Sequence, residues 1–105
     1  MRAKHRIEWL DPAKEDVFVI VDFLIDKAPL VALGFQDVLE KQLDVLEDWP
    51  RLGQENKYFP DVFDFKIKGL PYVVAYRLAP TGHIVEILAV VHERQNRADP
   101  KSYHF

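Results

Sequence analysis

The chain has no cysteine, which excludes disulfides and thiolate metal sites. It also has no run approaching the roughly 18 apolar residues that a membrane-spanning helix requires. Its opening, MRAKHRIEW, lacks the apolar core of a secretion signal. A cytoplasmic protein with no membrane partner is therefore expected. Positive charge is not in surplus: the net charge is −3 and the pI near 5.7, against direct nucleic-acid binding. The histidines His5, His83, His92 and His104 show no metal-ligand spacing. There is no glycine-rich phosphate loop, no Ser/His/Asp pattern, no internal repeat and no low-complexity segment. Neither a metal nor a cofactor is expected, and nothing in the residues demands an enzyme.

What is present suits one soluble domain. A chain of 105 residues can build a single core, burying roughly 65% of its unfolded surface. Charge is uneven along it. Acids outnumber bases from Asp11 to Asp48, whereas Arg94, Arg97 and Lys101 make the C-terminal end locally basic.

The organising stretch is Pro71 to His92, PYVVAYRLAPTGHIVEILAVVH, which reads as two long strands around an Ala79-Pro80-Thr81-Gly82 turn. With that loop, Leu78 lies opposite His83, Arg77 opposite Ile84, Tyr76 opposite Val85 and Ala75 opposite Glu86. Alternation then assigns Tyr72, Val74, Tyr76, Leu78, Val85, Ile87, Ala89 and Val91 to a covered face. Val73, Ala75, Arg77, Ile84, Glu86, Leu88, Val90 and His92 fall on the other face, which reads as an exposed apolar groove holding a few polar groups.

Arg6 to Leu10 alternates as a short strand. Asp11-Pro12 then signals a helix start, with Asp11 as N-cap and Pro12 as the first helical residue. The helix runs to about Lys27. Val17, Ile20, Val21, Leu24 and Ala28 form its apolar stripe, widened by Phe18 and Ile25, while Val19 and Phe23 face the opposite way. A second helix spans about Pro29 to Asp48, with Ala32, Phe35, Val38, Leu39, Leu43, Leu46 and Trp49 on one face, and Trp49-Pro50-Arg51-Leu52-Gly53 stops it. Tyr58 to Ile67 reads as a strand with an irregular start at Pro60-Asp61.

The order β-α-α-β-β-β implies an α+β domain: a helical hairpin packed on one face of a mostly antiparallel four-stranded sheet. The domain covers residues 1–97. Residues 98–105 form a polar tail, frayed unless Tyr103, His104 and Phe105 dock.

Four stretches in this order carry a resemblance. They are Arg6-Ile7-Glu8-Trp9 before an acidic helix, Leu46-Glu47-Asp48-Trp49-Pro50-Arg51-Leu52-Gly53, Gly69 to Arg77, and Val85 to Arg94. Over about residues 6 to 94 the chain resembles the RelE/ParE toxin superfamily, and is closer to its ParE or plasmid-stabilisation branch. The resemblance implies a toxin of a type II toxin–antitoxin pair, held inactive by a cognate antitoxin. ParE-like members are associated with poisoning DNA gyrase. RelE-like members cut messenger RNA on the ribosome, using basic residues with a tyrosine or histidine on the exposed sheet face. One departure stands out: Val62-Phe63-Asp64-Phe65 occupies the strand where relatives often carry an arginine, and Lys66 substitutes for it only in part.

If the chain were an endoribonuclease, His92 would serve as acid or base, with Arg77 and Arg94 as the cations. The simpler reading pairs Arg77 diagonally with Glu86 across the hairpin, an interaction of about 0.2–1 kcal/mol. It makes His92 a capping or packing residue. Against two alternatives, the RelE-like endoribonuclease and a degenerate family member that keeps the fold and antitoxin binding without toxicity, the favoured reading is a ParE-like toxin acting by protein contact. Val19, Phe23, Arg77, Glu86, His92, Arg94 and Arg97 are its candidate partner-binding residues, for the antitoxin and for gyrase, with self-association as a homodimer left open.

Overall fold

A computed structural model describes residues 4–95 and 97–104 of the protein. Phe105, expected above as a docking residue, lies outside them. Strand β1 (Arg6–Trp9) leads into helix α1 (Asp11–Lys27), followed by α2 (Pro29–Leu43) and a 3-10 turn (Asp44–Glu47). Strands β2 (Gln54–Glu55), β3 (Phe63–Lys66), β4 (Tyr72–Leu78) and β5 (Ile84–His92) follow, and a second 3-10 turn (Pro100–Tyr103) ends the chain.

The helices begin at proline, as the sequence suggests, but with a shift. Asp11 is the first helical residue of α1 and Pro12 the second, while Leu10 holds the extended cap position without a capping side chain. Asp11 therefore complements the helix dipole instead of capping it. Ala28 alone separates α1 from α2, because Pro29 cannot continue a hydrogen-bonded helix. α2 ends at Leu43, earlier than expected, and its last turn tightens to 3-10 geometry.

The helices cover one face of the sheet. Ala13, Val17 and Leu24 of α1 join Ala32, Phe35, Leu39 and Leu43 of α2 and Leu46 against Phe63, Ile67, Tyr72, Val74, Tyr76, Val85, Ile87 and Val90. Phe35 meets Tyr72 edge-on at 5.3 Å. Phe63 stacks on Tyr76, whose hydroxyl accepts the N–H of Gly53 at 2.8 Å. A Cβ at Gly53 would stand 2.6 Å from that hydroxyl, so the glycine that ends the Trp49–Gly53 stop is set by close approach. Four residues expected on the buried stripes are instead in solvent: Phe18, Ile25, Val38 and Trp49.

The sheet has five strands, in the order β1-β5-β4-β3-β2, and is mixed: β1 runs parallel to β5, and the other neighbours are antiparallel. The fifth strand, β2, has two residues, too few for a periodic signal. Residues 58–62, expected as the start of a strand, form turns instead, with Asp61 at a positive φ of 65°.

The β4–β5 hairpin departs from its expected register in two ways. Arg77 pairs with Glu86 and Leu78 with Val85, so β5 is displaced by two residues, which preserves the faces near the turn. A bulge then intervenes. Tyr76 pairs with Ile87 but Ala75 with Ala89, leaving Leu88 as the extra residue. Every side chain beyond it changes face. Val90 and His92 join Val74 and Tyr72 on the helix side, and Ala89 and Val91 pass to the other. Beyond the end of β1, the N–H of Val90 is met by the Asp16 carboxylate of α1 at 2.9 Å.

Candidate functional site

The second face of the sheet was expected to be an exposed apolar groove. It is covered. Val73, Ala75, Leu88, Ala89 and Val91 are buried together with Val62 and Tyr103, flanked by Leu10 and Phe59. The cover is the C-terminal segment, residues 97–104, expected to fray but docked as a strap. Tyr103 is 1% exposed, and its ring meets Phe59 edge-on at 5.2 Å.

Polar groups that fasten this strap include Asn56, Asp64 and Asp16. Asn56 Nδ2 donates to the Tyr103 hydroxyl at 3.0 Å, Arg97 Nη1 reaches Asp64 at 3.4 Å, and His104 Nε2 lies 3.0 Å from Asp16 Oδ2. Asn56 is oriented by its own loop. Its Oδ1 accepts the N–H groups of Tyr58 and Phe59, which turns Nδ2 towards Asp64 and Tyr103. Burial raises the pKa of the Asp64 carboxyl, and the Asn56 bond and the Arg97 charge pull it partly back. Burial also raises the Tyr103 phenol, with the Asp64 charge adding to the shift.

Three cations on this side are matched as well. Arg77 Nε lies 2.8 Å from Glu86, directly opposite it and not diagonal as expected. Lys66 Nζ lies 2.9 Å from Glu93, whose pKa is lowered first by that hydrogen bond. With Arg97 on Asp64, three cations face three carboxylates, which weakens the positive field of these described residues. An open groove of about 780 Å³ at this end has the same mixed character, with Arg51 and Arg77 against Glu55, Asp61 and Glu86 over an apolar floor. Among the described residues no group of three or more His, Asp or Glu side chains could hold a metal.

The outer side of the helical hairpin is different. Phe18, Val19, Phe23 and Ile25 project from α1 with more than half their surface exposed, and Leu30 and Leu33 at the start of α2 are each 84% exposed. The acids Glu15, Asp22 and Asp26 are exposed on the same helix. Large apolar side chains gathered on one element mark a contact surface.

The family described as ParE toxin of type II toxin–antitoxin system, parDE, matches residues 7–97. The chain belongs to the ParE toxin family. Its fold is similar to a chain of the chromosomal ParDE toxin–antitoxin system of P. aeruginosa, with TM-score 0.73, 19% identity, and 87% of this chain and 98% of that one covered. A mutant of the E. coli toxin RelE in the free state matches with TM-score 0.65, 13% identity, and coverage of 95% and 94%. The RelBE2 toxin–antitoxin complex of Mycobacterium tuberculosis matches with TM-score 0.60, 21% identity, and coverage of 85% and 98%. The chain matches no curated protein in sequence.

In this ParE-family chain the candidate residues do not converge. His92 packs edge-on against Tyr72 at 5.4 Å, on the helix side, because the bulge moved it off the face that holds Arg77. Its Nδ1 accepts the N–H of Arg94 at 3.1 Å, so the ring caps the turn after β5. Arg94 is exposed and makes no ion pair among the described residues. Arg97 belongs to the strap, and Arg77 and Glu86 to the paired charges. Val19 and Phe23 stand exposed on α1, where the helix spacing places them. Asn56 and Asp16 were not among the site candidates read from sequence. An asparagine two residues before Tyr58 in a turn was the signal for the first; nothing local marked the second.

Proposed function

We propose that this ParE-family chain is a toxin that acts by protein–protein contact, is neutralised by a cognate antitoxin, and has DNA gyrase as its cytoplasmic target. The observation that carries this reading is the set of large apolar side chains left exposed on the helical hairpin, Phe18, Val19, Phe23, Ile25, Leu30 and Leu33. An antitoxin segment that folds on binding would lay apolar anchors across it. The similarity to chains of ParDE and RelBE systems supports such a partner.

Ribonuclease chemistry finds less support. It requires cations free to meet a phosphorane and an acid–base pair beside them. The sheet side pairs Arg77, Lys66 and Arg97 with carboxylates, and His92 stands on the other side. Tyr103 is a tyrosine on the expected face, but its hydroxyl is held by Asn56 beneath the surface.

Expression of the chain in cells tests the reading. Impaired supercoiling by gyrase or a DNA-damage response is expected, without codon-positioned cuts in primer extension on cellular messages, and with little effect of His92→Ala. Cuts that vanish in His92→Ala would replace this reading with the ribonuclease. Hydrogen exchange with and without the cognate antitoxin should show protection at Val19 and Phe23; unchanged exchange there would remove the hairpin from the interface.

A further inference from the structure

We propose that the outer surface of α1 docks a cationic amphipathic helix, one that sets apolar residues on the exposed apolar side chains of α1 and lysine or arginine on its carboxylates. This rests on the reading that an antitoxin segment meets the hairpin, and it assigns that segment a positive charge. At about 3.6 residues per turn, α1 turns three rows of side chains outward. Phe18 and Ile25 lie along one side and Val19 and Phe23 along the other, each more than half exposed. Between them runs a row of Glu15, Asp22 and Asp26, all exposed, opposite the buried Ala13, Val17 and Leu24. Asp11, at the head of this row, lies 3.9 Å from Lys14. Glu15, Asp22 and Asp26 make no ion pair among the described residues. Three carboxylates of the sheet differ in this respect, since Glu8, Asp64 and Glu86 each have an arginine partner.

Large apolar side chains drive docking, and the carboxylates decide what can dock. A helix laid on Val19 and Phe23, or on Phe18 and Ile25, brings its own flanking side chains over the acidic row. Acidic residues there would meet like charge, and short neutral ones would strip water from the carboxylates without replacing it. Lysine and arginine meet both demands. Their alkyl stems cover the apolar row, and their charged ends reach the carboxylates while staying hydrated. A second copy of the chain fits less well, because α1 packed on α1 would set one acidic row against another.

Two fluorescein-labelled probes, a short amphipathic helix of leucine and lysine and its leucine–glutamate counterpart, titrated onto the full chain by anisotropy, test this. The lysine peptide is expected to bind about tenfold more tightly, which corresponds to about 1.4 kcal/mol, and added salt should narrow the difference. The triple variant Glu15→Lys, Asp22→Lys, Asp26→Lys changes only exposed positions and should reverse the preference. Val19→Ser with Phe23→Ser should weaken binding of the lysine peptide to the wild-type acidic row. Equal binding of the two peptides to the wild type, an unchanged preference in the triple variant, or binding of neither peptide would each overturn the proposal. So would a wild-type dimer in sedimentation that Val19→Ser with Phe23→Ser dissolves, since the surface would then belong to a second copy. Hydrogen exchange with the antitoxin separates the two readings. Protection of Val19 and Phe23 without a peptide preference keeps the hairpin contact and removes its charge rule, whereas a preference without protection keeps the docking chemistry and removes the antitoxin from it.

Discussion

The two faces of this sheet are buried by different means. On one, two long helices supply an apolar surface from Ala13 to Leu46 that meets strand residues of the same character. On the other, residues 97–104 supply the buried ring of Tyr103 and polar fastenings to Asn56, Asp64 and Asp16. The first kind of cover is built from side chains that cannot leave without unfolding the helices. The second has Tyr103 as its buried anchor among the described residues, and its hydrogen bonds replace bonds to water at a modest net gain. Cover of the first kind makes the fold. Cover of the second kind is expected to open at lower cost than the fold as a whole, as regions of low local stability do.

The sharpest way to break this contrast is truncation on the helix side. Leu39→Ala or Ile87→Ala, both fully buried, should lower unfolding stability by about 2–5 kcal/mol in urea titrations. Tyr103→Ala on the strap side removes more atoms, yet should cost less than either, because the strap is expected to open at lower cost than the helices. A larger loss for Tyr103→Ala than for Leu39→Ala would show that both faces belong to one cooperative core.

A smaller change sharpens the same point. Tyr103→Phe keeps the ring in its socket and removes only the hydroxyl that Asn56 holds. The expected loss is about 1 kcal/mol, the net value of one such hydrogen bond. It should appear as faster exchange of the strap amides, Ser102 and His104, with β4 and β5 unchanged. Acceleration throughout the sheet would assign the bond to the global fold.

The same contrast explains how much could be seen in the sequence. The helix side was legible because its signals repeat: Ala32, Phe35, Leu39, Leu43 and Leu46 recur at helical spacing, and Tyr72, Val74 and Tyr76 alternate. The bulge left no mark, because Ile87 to Val91 is apolar at every position and an inserted residue leaves such a run apolar on both faces. That single step misplaced His92, the residue on which an acid–base role would have rested. The strap was hidden for the opposite reason. Its residues are mostly polar, and one tyrosine in a polar tail has no period to reveal where it docks. Asp16 was concealed on an acidic helix, where only the fold shows that it meets Val90 and His104.

Asp64 offers the finest test, since the strap supplies part of its environment through Arg97. Its carboxyl is raised above the ordinary value of 3.8, mainly by burial, with Asn56 and Arg97 opposing. A carboxyl raised in this way binds its proton more tightly in the folded than in the unfolded chain. Its contribution to stability is thus fully present below pH 3.8 and is lost as pH rises through the folded value. Glu93 behaves oppositely: the Lys66 hydrogen bond leads the shift that lowers it, and its contribution is lost as pH falls. Urea titrations across this range should therefore show wild type losing stability relative to Asp64→Asn as pH rises from below 3.8 to just above the carboxylate range. Tyr103→Ala, which opens the strap and lets water reach Asp64, should shrink that slope. A wild-type curve parallel to that of Asp64→Asn would mean that water already reaches the carboxylate and that the strap does not seal this side of the sheet.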